Sequence, residues 1–331
     1  MEKAVTMKCG YLRTWLPVII IVICFFATPS AGQQRELVKM TVGYSPISAS
    51  MLPLWIAVEE RIFQKYGLEV SPVFFGGSSL INVAMAAGQF PIGMGGGAST
   101  ALQRLSGGDL ILIGAVVRSF TIDGWVKPEI KSLADLKGKR IAVTRIGTTT
   151  YFAGLATLAA AGLKRDAVVF AQTGGQGEAL AALLSGGVDG AMLAYPHNLI
   201  AGKGGFHKLI DLANTEYGLF PSAGIGVRES WLKDRRNRNI ALSFLRAFTE
   251  AMARVKADAT ISTRLLGKYT KINDDRVLQE TYEWIKGYFS KTLKVEEKSV
   301  INMLRFLDHA KATAADPRQF FDNSLIDEIS N

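Results

Sequence analysis

Ser132–Leu163, SLADLKGKRIAVTRIGTTTYFAGLATLAAAGL, reads as a short helix, a strand, a Gly/Thr loop and a longer helix. Arg140 to Thr144 is a short β-branched run, and from Tyr151 the chain turns Ala/Leu-rich at helical spacing. Gly147 permits a tight turn, and Thr148, Thr149 and Thr150 stand where an N-cap belongs. A helix entered this way points backbone N–H groups and a partial positive charge past the strand end, which suits an anion or polar group. The same threonines can equally do no more than cap the helix.

The device recurs. Val73 to Leu80 (VFFGGSSL) is an apolar strand end, a diglycine and a Ser pair, so Gly77, Ser78 and Ser79 form a second corner. Gly93 to Thr100 (GMGGGAST) repeats it with Gly97, Ala98 and Ser99, and Gln172 to Glu178 (QTGGQGE) with Gly175, Gln176 and Gly177. In open α/β sheets ligands sit outside the carboxyl ends of the strands, so four Gly/Ser/Thr corners on strand-to-helix turns imply one cleft. None is a nucleotide fingerprint, because neither G-x-G-x-x-G with a following acidic residue nor G-x-x-x-x-G-K-[ST] occurs.

Working outward, strands at Leu37 to Tyr44, Leu68 to Phe75, Pro91 to Gly95 and Leu110 to Val117 alternate with helices at Pro53 to Tyr66, Asn82 to Ala87 and Ala98 to Leu105. The alternation predicts a parallel sheet covered on both faces, and the apolar run Leu110 to Val117 reads as a buried parallel strand. After an extended stretch, Arg118 to Lys127, a second α/β run occupies residues 140–211. Ala223 to Val227 is strand-like, and helical periodicity follows over Ile240 to Lys256, Asp275 to Phe289 and Val295 to Lys311. The expected architecture is two doubly wound α/β lobes, residues 36–120 with 222–331 and residues 121–221. Two extended crossings, near 118–124 and 214–222, join them and form a hinge.

The first 32 residues read as an export signal. Lys3, Lys8 and Arg13 precede an apolar run from Trp15 to Phe26, and small residues from Thr28 to Gly32 place a cut near Ala31 to Gln33. The run is about 12 residues, short of the roughly 20 that span a bilayer. A lipoprotein site at Cys24 is the alternative, against which Ile-Val-Ile ahead of it lacks the small residues such processing favours. Cys9 and Cys24 both lie in this segment, so a chain cut near Ala31 has no thiol for catalysis, iron–sulfur clusters or zinc. His197, His207 and His309 show no ligand spacing and read as surface or satisfied structural residues. The formal charge is +9, of which the first 32 residues carry a net +2. The spread basic excess favours acidic ligands, and no aromatic-interleaved basic stripe points to nucleic acid.

Several stretches together resemble a known family: Gly43-Tyr44-Ser45-Pro46; PLWIAVEE from Pro53 with FQKYGLEV from Phe63; the Gly76 to Ser79 turn; LADLKGKRIAV from Leu133; and GGVDGA from Gly186. The chain is similar here to the extracytoplasmic solute-binding proteins of ABC importers, in the sulfonate/nitrate/taurine/thiamin-precursor branch. The resemblance implies a type II periplasmic-binding fold, capture of a small solute between the lobes and delivery to a membrane permease. It implies a cleft lined by Ser45, Pro46, Ile47 and Ser48, by the four corners above, and by Tyr195. The crossings are expected to add Ser222 and Arg118, the latter either pairing with an anionic head or standing as an exposed hinge arginine. A periplasmic monomer without cofactor or metal is expected.

One departure is visible: Gly88 to Gly93 (GQFPIG) has Pro91 where the family usually carries Asp, whereas the second lobe keeps Asp189. Competing readings are narrower. Thiamin-pyrimidine synthases of this fold depend on a Cys-rich iron-binding motif that this chain lacks. A hydrolase would show a G-x-S-x-G elbow, and none occurs. Input to a sensor or chemoreceptor is not separated from transport by the sequence.

Overall fold

The computed structural model describes Gly10, residues 36–307 and residues 309–330; the expected export segment, its cut and both cysteines lie outside these residues. Ten strands and thirteen helices follow along the described chain. The first run is β1 (Val38–Tyr44), α1 (Leu52–Glu59), α2 (Ile62–Lys65), β2 (Leu68–Phe74), α3 (Ser78–Ala86), β3 (Ile92–Gly95), α4 (Gly97–Leu105) and β4 (Leu110–Ser119). The second is β5 (Ile122–Val126), β6 (Arg140–Val143), α5 (Thr149–Ala160), β7 (Val169–Gln172), α6 (Gln176–Leu184), β8 (Gly190–Ala194), α7 (His197–Lys203) and β9 (His207–Ile210). The chain then returns through β10 (Leu219–Arg228) to α8 (Glu229–Leu232), α9 (Arg235–Ala257), α10 (Ala259–Thr270), α11 (Asp275–Ile285), α12 (Glu297–Leu304) and α13 (Ser324–Ser330).

The strands form two five-stranded sheets, ordered β2-β1-β3-β10-β4 and β7-β6-β8-β5-β9. In each, three parallel strands are followed by an antiparallel one taken from a crossing, β10 in the first and β5 in the second. This is the mixed α/β, two-lobed arrangement that the alternating pattern predicts. One strand differs in kind. β4 is an edge strand paired antiparallel to β10, yet Leu110–Val117 is wholly buried. Its free edge is sealed by the C-terminal segment: Ala115 N donates to Leu293 O at 2.7 Å, Ser290 N to Val116 O at 3.0 Å and Asp322 N to Leu112 O at 2.9 Å. Apolarity here reflects cover on every side, not a parallel partner.

The crossings are short and zipped together. Only Phe120 and Thr121 separate β4 from β5, and residues 219–222, expected as part of an extended linker, form the start of β10. Leu219 pairs with Ser119, Phe120 N donates to Gly218 O at 3.0 Å, and the Phe120 and Phe220 rings stack 4.1 Å apart. The helix expected over 53–66 is two helices, because Arg61 takes a left-handed conformation (φ 56°) between them. Trp55, Ile56 and Phe63 are buried as their spacing predicts. Three helices, α8, α10 and α13, lie outside the expected spans of helical periodicity, and the carboxylate of Asp258 starts α10 by accepting from Ile261 N at 2.9 Å.

Three apolar clusters carry most of the packing. The largest joins α1, α2, α9, α10 and α11 to the first sheet around Phe244 and Phe248. A second runs from α4 across the crossings to α5 and α12. The smallest, around Leu183 and Leu193, lies under α6 and α7. No helix among the described residues is long and apolar enough to cross a membrane.

Candidate functional site

The carboxyl ends of both sheets face each other across one cleft, and the strand-to-helix corners converge there. An inner cavity of about 380 Å³, mouth included, is lined by Ser45, Pro46, Ser48, Ser50, Ser78 and Gly96 from the first lobe. Thr144, Thr148, Thr149, Thr150 and Ala194 line it from the second, with Thr121, Ile122 and Ser222 at the crossings. Every one of these residues is uncharged. The Thr148 corner has the form read from the sequence: Gly147 turns at φ +79° and α5 begins at Thr149.

The threonines do more than cap. Thr150 Oγ1 lies 2.8 Å from Thr144 Oγ1 and 3.1 Å from Thr148 Oγ1, and it accepts from Thr144 N at 2.9 Å. Thr148 Oγ1 donates to Arg145 O at 2.7 Å, so no side chain caps the first amides of α5. On the facing wall Ser48 and Ser50 share a hydrogen bond of 3.0 Å. Helices α3 and α4 likewise start at this cavity with glycine N-caps and no side-chain cap. Uncapped first-turn N–H groups from three helices, together with hydroxyls that can donate or accept, suit a small polar or anionic head without a metal. Among the described residues no group of acidic, His or Cys side chains could hold a metal ion.

The lobes are closed over this cavity. Thr149 Oγ1 donates to Ser222 O at 3.2 Å, Arg145 Nε to Gly76 O at 3.3 Å and Ala49 N to Tyr195 O at 3.1 Å. Gly96 makes the approach possible, since a Cβ there would run into Thr149 Oγ1. Outside, Lys203 pairs with Asp274 at 2.5 Å, and the Tyr195 ring stacks on Trp284 at 3.9 Å.

Of the residues expected to line the cleft, Ser45, Pro46, Ser48, Ser78, Thr148, Thr149, Thr150 and Ser222 meet in the inner cavity. Ile47, Gly175, Gln176 and Gly177 line an adjoining compartment, where Gln176 Oε1 is already used by Ala194 N at 2.7 Å. Ser79, Ser99 and Gly147 line a groove between α3 and α4. Gly77, Gly97, Ala98 and Tyr195 are second-rank neighbours: Gly97 abuts Pro221, Ala98 is in the core and Tyr195 faces Trp284. Arg118 is not brought to the cavity; its guanidinium is ion-paired with Glu296 and a third exposed. Ser50, Gly96, Thr121, Ile122, Thr144 and Ala194 join the lining unannounced, although Thr144 ends the strand that the opening stretch identifies.

Two titratable groups sit close by in the second lobe. Burial pushes the Asp123 carboxyl up to about 7, with Lys208 pulling it back and Asp211 adding to the rise. Burial also holds His197 down at about 4, and its Nδ1 has no hydrogen-bond partner, so it is not the satisfied structural histidine expected. Asp189 is a supporting residue: it accepts from Arg140 N and from Lys127 Nζ, both at 2.9 Å, and ties β6 to the end of β5.

Comparison with solved structures places this architecture among the periplasmic-binding-protein folds. A structure from Bordetella bronchiseptica RB50 matches at 22% identity with a TM-score of 0.81, over 89% of this chain and 98% of that one. The periplasmic aliphatic sulphonate binding protein SsuA of Escherichia coli matches at 20% and 0.69 (87% and 99%), and the periplasmic nitrate-binding protein NrtA of Synechocystis PCC 6803 at 14% and 0.73 (89% and 89%). No curated protein matches the chain. The NMT1/THI5-like family model matches residues 48–259, and the chain belongs to that family.

Proposed function

We propose that this protein is the substrate-binding component of an ABC importer, capturing a small polar or anionic organic solute between its lobes and presenting it to a membrane permease. The observation that carries the reading is the inner cavity, built from hydroxyls and uncapped helix starts of both lobes and closed by contacts between them. A ligand that touches both lobes binds the closed form better and shifts the population toward it. The paired crossings at Phe120 and Leu219 act as the hinge, between a first lobe of residues 36–120 with 222–331 and a second of 121–221. An export signal over residues 1–32 delivers the chain to the periplasm, where it works as a monomer without cofactor. The proteins it resembles in fold are named as binding proteins, which favours capture over catalysis.

The test is a thermal-shift screen of the chain from Gln33 onward against nitrate, aliphatic and aryl sulfonates, carboxylates and thiamin-pathway pyrimidines. A ligand at 100 times its Kd adds about 2.7 kcal/mol, a clear rise in midpoint. Ser78→Trp or Thr149→Trp should abolish that rise in a folded protein. Silence from the whole panel, or hits unaffected by either substitution, would overturn the assignment.

A further inference from the structure

Beside the inner cavity lies a second compartment of about 560 Å³, mouth included, sharing Ser45, Pro46 and Thr144 with it. Its walls differ in chemistry. The first lobe contributes Ile47, Phe74 and Tyr269 together with Thr270 and the exposed Lys271, and Phe74 is 41% exposed. The Tyr269 ring is fixed by flat stacking on Trp55 at 4.5 Å. The second lobe contributes the start of α6 and His197. His197 is 6% exposed and its Nδ1 has no partner, although buried polar atoms are ordinarily satisfied. Its Nδ1 is sealed off, so His197 faces the compartment with the rest of its ring, and bare aromatic surface lining the same space is what a site shows when part of its lining is supplied by a ligand.

We propose that this compartment is the tail site of the cleft: it takes the far end of an elongated solute whose head occupies the inner cavity, and it selects a flat aryl or heteroaryl tail bearing a hydrogen-bonding substituent that partners His197. The inference rests on the solute-capture reading and narrows it. Phe74 and Ile47 offer apolar contact to a ring, while the neutral imidazole can donate to or accept from a substituent such as hydroxyl. Ser45, Pro46 and Thr144 line both compartments, so the two adjoin at these residues.

The experiment is calorimetric titration of the exported chain with two probe pairs sharing a head: methanesulfonate against 4-hydroxybenzenesulfonate, and acetate against 4-hydroxybenzoate. In at least one pair the aryl probe should bind tenfold or more tighter. His197→Phe should remove most of that advantage while leaving the short probe within twofold, and His197→Gln, which keeps a hydrogen-bonding group, should restore it. Replacing the 4-hydroxy group by 4-methyl should cost the wild type as much as His197→Phe does and cost His197→Phe nothing further. Phe74→Ser, at an exposed position, carries the same test should His197→Phe not fold. If short and aryl probes bind equally, or neither substitution lowers aryl affinity, the tail site is overturned and capture in the inner cavity stands. If no probe binds and the screen above is silent too, both readings fall together.

Discussion

The two sheets share one plan and differ in what surrounds them. Each has three parallel strands and a fourth inserted antiparallel from a crossing. The first is buttressed by α9, α10, α11 and α13, whose apolar faces join it in the largest cluster, and its β4 edge is sealed by the C-terminal segment. Under α6 and α7 the second sheet rests on a cluster of eight buried residues, while β5, β6 and β8 also join α5 in the second cluster. In the second lobe burial shifts the titrations of Asp123 in β5 and His197 in α7, whereas at the cavity end of the first sheet the buried ionisable side chain is Tyr44. Similar topology thus yields a platform buttressed by four helices and a partner whose α6–α7 side is lightly packed, while both lobes contribute hydroxyls to the cavity.

The sharpest way to break this comparison is through the cores. Phe248, fully buried and ring-stacked with Phe244, should cost about 3–5 kcal/mol as Phe248→Ala, whereas Leu183→Ala in the small cluster should cost about 2–3 kcal/mol, both read by urea unfolding. Equal losses would show that the two lobes are packed alike.

Next comes pH. Asp123 titrates above its ordinary 3.8 in the fold, so its contribution to stability is lost as pH rises from about 4 to 7. His197 titrates below its ordinary 6.5, so its contribution is lost as pH falls from 6.5 to about 4. The two slopes oppose and flatten the wild-type profile. Asp123→Asn should leave a protein whose Tm climbs with pH across that window, and His197→Gln one whose Tm declines, each by the equivalent of on the order of 3 kcal/mol. Parallel profiles for the two variants would refute the assignment of both groups.

Smaller still is the effect of Gly96→Ala, where the new methyl meets Thr149 and holds the lobes apart. Ligand affinity should fall about tenfold, or 1.4 kcal/mol, with the unfolding midpoint little changed. The least effect belongs to Lys203→Ala: the half-exposed pair with Asp274 bridges the lobes on the outside, and its loss should leave the urea midpoint nearly unchanged.

Much of this was legible in the chain because it is local. Alternating strand and helix patterns, the turn at Gly147 and the threonines after it depend on neighbours within a few residues, and eight expected residues do meet in one cavity. What sequence could not supply is non-local. Arg118 looks available until Glu296, far along the chain, takes its charge. The antiparallel insertion of β10 beside β3 is set by which edge remains free after the second lobe is complete, and no residue in Leu219–Arg228 announces it. The break at Arg61 gives no warning either, as neither Gly nor Asn marks that left-handed turn. His197 was misread for the same reason: its lack of a partner depends on what packs around α7.

The uncharged lining of the inner cavity has a consequence for how the protein meets its surroundings. Hydroxyls and helix starts are rotors and dipoles, with no fixed counter-ion to be shielded, so electrolyte has little to screen once the lobes have shut. Affinity should therefore hold nearly constant from dilute buffer to seawater-like salt. Under the solute-capture reading, swings of ionic strength would leave the bound solute in place.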